Sequence, residues 1–177
     1  MSSHWSRKLQ AIEACGDAVE WARTQPSYEA AWKSCKRGDW MLWLAGKLCG
    51  EKGSSAHRAV VLAACACARL SLKYVPKGEK CPLAAIETAE RWARGEDGVT
   101  LDMVRAAHAA AYAYTAAYAA YAAAEDAYAA AYAAYAAAYA ATAADAAEDA
   151  AAASTLAGCA SIVRKMVKRP ELKGGGE

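Results

Sequence analysis

Apolar positions recur at helical spacing along this chain, and turn and capping residues cut them into segments. Within 8–23, Leu9, Ile12, Gly16 and Val19 share one face, and Pro26 closes the segment. Ser27 then caps a second helix carrying Tyr28, Ala31, Trp32 and Cys35, which Gly38 ends. Asp39 is the expected cap of a third, running through Trp40-Met-Leu-Trp-Leu to about Cys49. A polar loop over 50–55 leads into a fourth helix, roughly 56–74, whose span 59–68 holds no polar side chain beyond two thiols. A helix apolar all round is a buried one, so this segment is expected at the middle of the core. Residues 76–82 read as a loop, 83–94 as a fifth helix, and Thr100 as the cap of a sixth, with Asp102 in its first turn.

That last helix is nearly a two-letter text. Of the 48 residues in 106–153, 32 are alanine and eight are tyrosine. Tyr114, Tyr118, Tyr121, Tyr128, Tyr132, Tyr135 and Tyr139 step by four and three, with Glu125 in the one vacant slot. Such a heptad register predicts a stripe of rings along one side of a helix, and a stripe is an interface. It faces either the rest of the chain or another molecule, a second copy included. A continuous helix over 101–167 would be about 100 Å long, so it either projects to a partner or bends, at Glu125-Asp126 or within 145–149.

No segment alternates with a period of two, and the predicted fold class is all-α: about five short helices and a long Ala/Tyr-rich helix, continuous or bent into two. The 177 residues suit one domain, with a short-helix bundle over 1–98, the long helix over 99–168 packed on it, and a flexible tail over 169–177. The net charge of +2 conceals a balance of −5 over 102–160 and +3 over 161–177. Neither makes a nucleic-acid footprint. The simplest role for Arg164, Lys165, Lys168 and Arg169 is to complement the negative pole of the helix they end. An uncharged run over 106–124 stops at Glu125-Asp126, and alanine with tyrosine is a poor bilayer composition, so no membrane span is expected. Seven cysteines follow a polar, basic start with no hydrophobic leader, which predicts a cytoplasmic protein with reduced thiols acting as small hydrophobes. No Cys-x-x-Cys occurs, and no metal site or cofactor is expected.

Catalytic motifs are missing: three histidines lie far apart, and no nucleophile elbow, phosphate loop or dinucleotide fingerprint is present. Glu87 and Glu90 each precede an arginine by four residues, Arg91 and Arg94, the ordinary arrangement of helix-surface ion pairs. The chain reads as a non-enzyme. A denser constellation is Arg37-Gly-Asp39-Trp40-Met-Leu-Trp43, where two indoles one turn apart and a nearby Lys47 adjoin a helix N-terminus. Tryptophan with arginine is the composition of binding hot spots, although tryptophan is also an ordinary core residue. Arg58 and Arg69 lie three turns apart on one face of the buried helix and need partners, from Glu87 and Glu90 or from an anionic ligand.

The segments Ala31-Trp-Lys-Ser-Cys-Lys-Arg-Gly-Asp-Trp-Met-Leu-Trp-Leu44, Val61-Leu-Ala-Ala-Cys-Ala-Cys-Ala-Arg-Leu70 and Ala85-Ile-Glu-Thr-Ala-Glu-Arg-Trp92, with the Tyr/Ala repeat and Ala157-Gly-Cys-Ala-Ser-Ile-Val163, carry a resemblance. Together they resemble the small α-helical immunity proteins of bacterial polymorphic toxin systems, which also occur in phage. The resemblance spans about 18–167 and implies a protein that neutralises a toxin or effector by binding it. It nominates Arg37, Asp39, Trp40, Trp43, Arg69, Glu87, Glu90 and Arg91 as charged or aromatic members of the motifs. The competing expectation is a sponge for a small molecule or nucleotide-like signal, such as a phage counter-defence protein, with Trp40 and Trp43 stacking on a ring and Arg37, Arg58 or Arg69 holding an anionic group.

Overall fold

The computed structural model describes residues 4–75, 78, 80–111 and 148–172. Among them the α-helices are α1 (Arg7–Ala11), α2 (Gly16–Arg23), α3 (Tyr28–Ser34), α4 (Gly38–Leu48), α5 (Ser55–Arg69), α6 (Cys81–Arg94), α7 (Leu101–Ala111) and α8 (Glu148–Met166), with a 3-10 turn at Leu72–Tyr74. The fold is all-α, with no strand among the described residues. The tyrosine stripe Tyr114 to Tyr139, and with it the continuity of the long helix, lies outside the described residues; α7 and α8 are the two described ends of that segment.

Helix α5 fills the middle, as its composition demands. Val60, Val61, Ala63, Ala64, Cys65, Cys67 and Ala68 are all buried to within 1% of full exclusion. It packs between α6 and α8, while α7 lies on α6 and α8 also crosses α4. Small side chains allow these crossings to be close. The closest is at Gly38, where an added Cβ would overlap the Cys159 Cβ and lie 2.6 Å from the Ala160 nitrogen on α8. All seven cysteines remain thiols; Cys35, Cys65, Cys67 and Cys159 are buried as small hydrophobes. Burial pushes the Cys65 thiol up to about 12.

Local capping chemistry sets several boundaries. The Ser27 hydroxyl accepts from the Ala30 amide at 3.1 Å, Ser54 from His57 at 3.2 Å, and Thr100 from Met103 at 3.3 Å. Gly95 ends α6 in the left-handed region, at φ 74°.

Several expectations need correction, among them that Gly38 ends the second helix: that helix stops at Ser34 and Gly38 opens α4. The first predicted helix is two, because Glu13 adopts φ 66° and breaks it. The Ala14 amide donates to the Leu9 carbonyl and the Glu13 amide to Gln10, both at 3.0 Å, which is the Schellman bonding pattern with glutamate where glycine is usual. Holding a non-glycine residue there costs about 1–2 kcal/mol. Asp39 does not cap α4: Arg37 is the N-cap residue, and the Asp39 carboxylate turns to the Arg37 guanidinium instead. Helix α5 stops at Arg69 rather than near residue 74, and the chain tightens into the 3-10 turn. Helix α6 begins at Cys81 and takes Pro82 into its first turn, where proline's missing N–H is no loss. Arg164 lies in the last turn of α8, as expected, and also serves a second helix end. Its Nη1 donates to the Cys35 carbonyl at 2.7 Å and the Trp32 carbonyl at 3.4 Å, satisfying the end of α3.

Beyond α8 the chain turns back over the first helices. The Tyr28 hydroxyl donates to the Pro170 carbonyl at 2.8 Å, and Lys8 Nζ to the Leu172 carbonyl at 3.3 Å. Residues 169–172, expected as part of a flexible tail, therefore lie against α1 and α3.

Candidate functional site

Helices α1 to α4 do not close on one another completely. They surround a cavity of about 470 Å³ whose lining includes Trp5, Trp21, Trp32, Trp40 and Trp43, five of the six tryptophans in the chain. Trp40 and Trp43 come from α4, one turn apart, and both are half-buried, so each ring contacts core on one side and cavity on the other. Trp21 of α2 meets Trp40 at a ring-centre distance of 5.9 Å, tilted by 52°, and Trp5 meets Tyr28 of α3 at 5.6 Å. Tilted pairs at these distances are favourable aromatic geometry, so the rings hold one another in place. Leu9, Met41 and Leu44 complete an apolar floor.

Charge enters this wall as a closed pair. Arg37 Nε donates to Asp39 Oδ1 at 2.8 Å and Nη2 to Oδ2 at 2.5 Å, a bidentate fork. The carboxylate side chain is 8% exposed and the arginine 37%. Asp39 holds the Arg37 guanidinium in its charged form, and the guanidinium carbon lies 4.3 Å from the centre of the Trp40 ring. Helix α4 makes this arrangement possible, since Arg37 is its N-cap and Asp39 its second residue. Lys47 Nζ approaches the exposed carboxylate of Glu13, a lining residue, at 3.5 Å, linking α4 to the left-handed turn after α1. Burial pushes the Cys35 thiol up and also raises the Tyr28 phenol, so both line the cavity as neutral groups.

The nine nominated residues thus divide. Arg37, Asp39, Trp40 and Trp43 come together at the cavity. Arg58 does not: its Nε donates to the Gly53 carbonyl at 3.0 Å and its Nη1 to the Trp92 carbonyl at 3.4 Å, and it lies against the Trp92 ring. Arg69 and Glu90 form a second bidentate pair, at 2.7 and 2.9 Å, joining α5 to α6. Arg94 adds a bond to the same carboxylate at 3.3 Å, and Glu87 approaches Arg69 at 4.0 Å. The Arg69 bonds, chief among these contacts, hold the Glu90 carboxyl below its usual range. Arg91 pairs with Glu96 at 2.8 Å rather than with Glu87. Arg58 is thus bonded to carbonyls of the fold, and Arg69 to Glu90, one of the two partners expected for it.

Sequence reasoning missed Trp5, Trp21, Trp32 and Tyr28 as cavity residues. A signal was present, since five tryptophans crowd into residues 5–43 and one lies outside them. Among the described residues, no group of three or more histidine, cysteine or acidic side chains is arranged to hold a metal ion. No described helix is long and apolar enough to cross a membrane. No family model, curated protein or solved structure matches this chain.

Proposed function

We propose that this chain is a non-enzymatic binding protein that sequesters a small molecule with a flat, apolar or aromatic body in the tryptophan cavity. The observation that carries the reading is the cavity itself: about 470 Å³ walled by five indoles, within the range of about 300–1,000 Å³ typical of small-molecule sites. Its chemistry suits holding rather than turnover. The Arg37–Asp39 pair is mutually satisfied, and Cys35 and Tyr28 are pushed away from reactive forms. Seven thiols suit a reducing, cytoplasmic setting.

Thermal-shift and tryptophan-fluorescence screening against aromatic metabolites and nucleotides tests the reading. A ligand at 100 times its Kd adds about 2.7 kcal/mol, or roughly 5–10 °C in Tm for a chain of this size. Trp40→Ala should weaken binding at least about tenfold, about 1.4 kcal/mol of lost stacking. A broad screen in which no compound raises Tm or changes the emission sinks the proposal.

A second reading is that a toxin or effector inserts an aromatic or apolar side chain into the same cavity. Two features favour it: the resemblance to immunity proteins, and the polar rim of Glu13–Lys47 and Arg37–Asp39 around an aromatic centre, which is the anatomy of a protein-binding hot spot. Pull-down from the native host with and without Trp40→Ala distinguishes the two, since a protein partner captured by the wild type should be lost from the variant.

A further inference from the structure

The aromatic cavity has a neighbour. A second cavity of about 540 Å³ adjoins it, and the two share Trp5 and Tyr28 in their linings. The character changes across that boundary. The first is apolar with a self-neutralised ion pair, whereas the second is lined by Lys8, Lys168 and Arg169 against Glu171, a balance of +2. Its walls come from the returning C-terminal segment, pinned by the Tyr28–Pro170 and Lys8–Leu172 bonds. Arg169 stacks over Tyr28 with its guanidinium carbon 5.1 Å from the ring centre. Nearby Glu29 pairs with Lys33 at 2.7 Å and feels the Arg169 charge more weakly. Lys168 and Arg169 are exposed, which leaves both accessible to a ligand.

We infer that the ligand is an amphiphilic aromatic anion, its ring system in the tryptophan cavity and its carboxylate, sulfonate or phosphate between Lys8, Lys168 and Arg169. This rests on the cavity being the binding site and adds the chemical class of what it takes. The ring pair Trp5–Tyr28, 5.6 Å apart, is the common wall along which such a molecule passes from one compartment to the other. A neutral molecule would use the first cavity alone. An anion gains charge-assisted hydrogen bonds in the second, where Lys8, Lys168 and Arg169 line the space, whereas Arg58 and Arg69 do not line either cavity.

Two fluorescent probes with closely related ring systems test it on the full chain: anilinonaphthalene sulfonate, which is anionic, and N-phenyl-naphthylamine, which is neutral. The sulfonate should bind at least about tenfold more tightly. Lys168→Gln with Arg169→Gln should abolish that preference while leaving the neutral probe's affinity within about twofold, and Lys8→Gln, on the opposite wall, should reduce it independently. Equal affinity for the two probes, or a preference that survives all three substitutions, overturns the inference and leaves the cavity reading intact. If neither probe binds, the inference is likewise overturned, while the cavity reading stands or falls on the broad screen.

Discussion

Gly38 and Gly16 offer the same substitution in two surroundings. Each is the first residue of its helix, α4 and α2 respectively. Replacing either with alanine removes backbone freedom from the unfolded chain and improves helix propensity, a gain of about 0.5 kcal/mol. Nothing lies within 4 Å of a Cβ at Gly16, so that gain should be realised, with Tm rising by about 1–2 °C. At Gly38 the new methyl overlaps the Cys159 Cβ and meets the Ala160 nitrogen at 2.6 Å and the Cys159 carbonyl carbon at 2.8 Å. Two of those atoms are backbone, so α8 itself must move. Overpacking of this kind costs about 1–3 kcal/mol, leaving Gly38→Ala less stable by about 1.5 kcal/mol net and lowering Tm by about 3–6 °C. Because α8 also carries Arg164 onto the end of α3, its displacement should loosen the cavity wall at Cys35 and Met41. Chemical denaturation and calorimetry of the two variants give the comparison directly. Equal stability of Gly38→Ala and Gly16→Ala would refute the close crossing of α4 and α8.

Two further predictions concern the polar contacts between helices. Glu90→Gln should cost about 1–2 kcal/mol, discounted because Arg69 and Arg94 are a third to a half exposed, and should also change the pH response. The Glu90 carboxyl is held below its ordinary value by Arg69, so its contribution is complete above the unfolded carboxylate range and disappears as pH falls through the lower folded value. Urea melts at pH 7 and below pH 4 should therefore show the variant losing less stability on acidification than the wild type. Arg164→Ala removes the donor that satisfies the Cys35 and Trp32 carbonyls and should lower stability by about 1–2 kcal/mol, read by the same melts. Hydrogen exchange should quicken along α3 in that variant, and unchanged exchange there would contradict the assignment.

The parts of this protein legible in the sequence are those decided within a few residues. Ser27 and Thr100, both expected as caps, accept from amides three residues on, because capping bonds need no distant partner. The burial of α5 was equally legible, since a helix with no polar face has nowhere to go but inside. Local rules also explain where such reading erred. Asp39 has the side chain of a cap, yet the bidentate fork with Arg37 competes for its oxygens and wins. Glu13 in the left-handed region defies propensity, and the turn it makes carries Glu13, Ala14 and Cys15 to the cavity rim.

Tertiary structure alone decided the rest. Helix spacing offered Glu87 to Arg91 and Glu90 to Arg94; Glu90 does meet Arg94, but Arg91 turns to Glu96, and Arg69 arrives from α5 to take the principal bonds at Glu90. Arg164 caps a helix more than a hundred residues earlier in the chain. Above all, the sequence placed Trp40 and Trp43 on one face of a helix but could not place Trp5, Trp21 and Trp32 opposite them. A cavity is the space left between several helices, fixed by their crossing angles and by close approaches such as Gly38 on Cys159. Those depend on side chains far apart in the chain, and no window of neighbouring residues contains them.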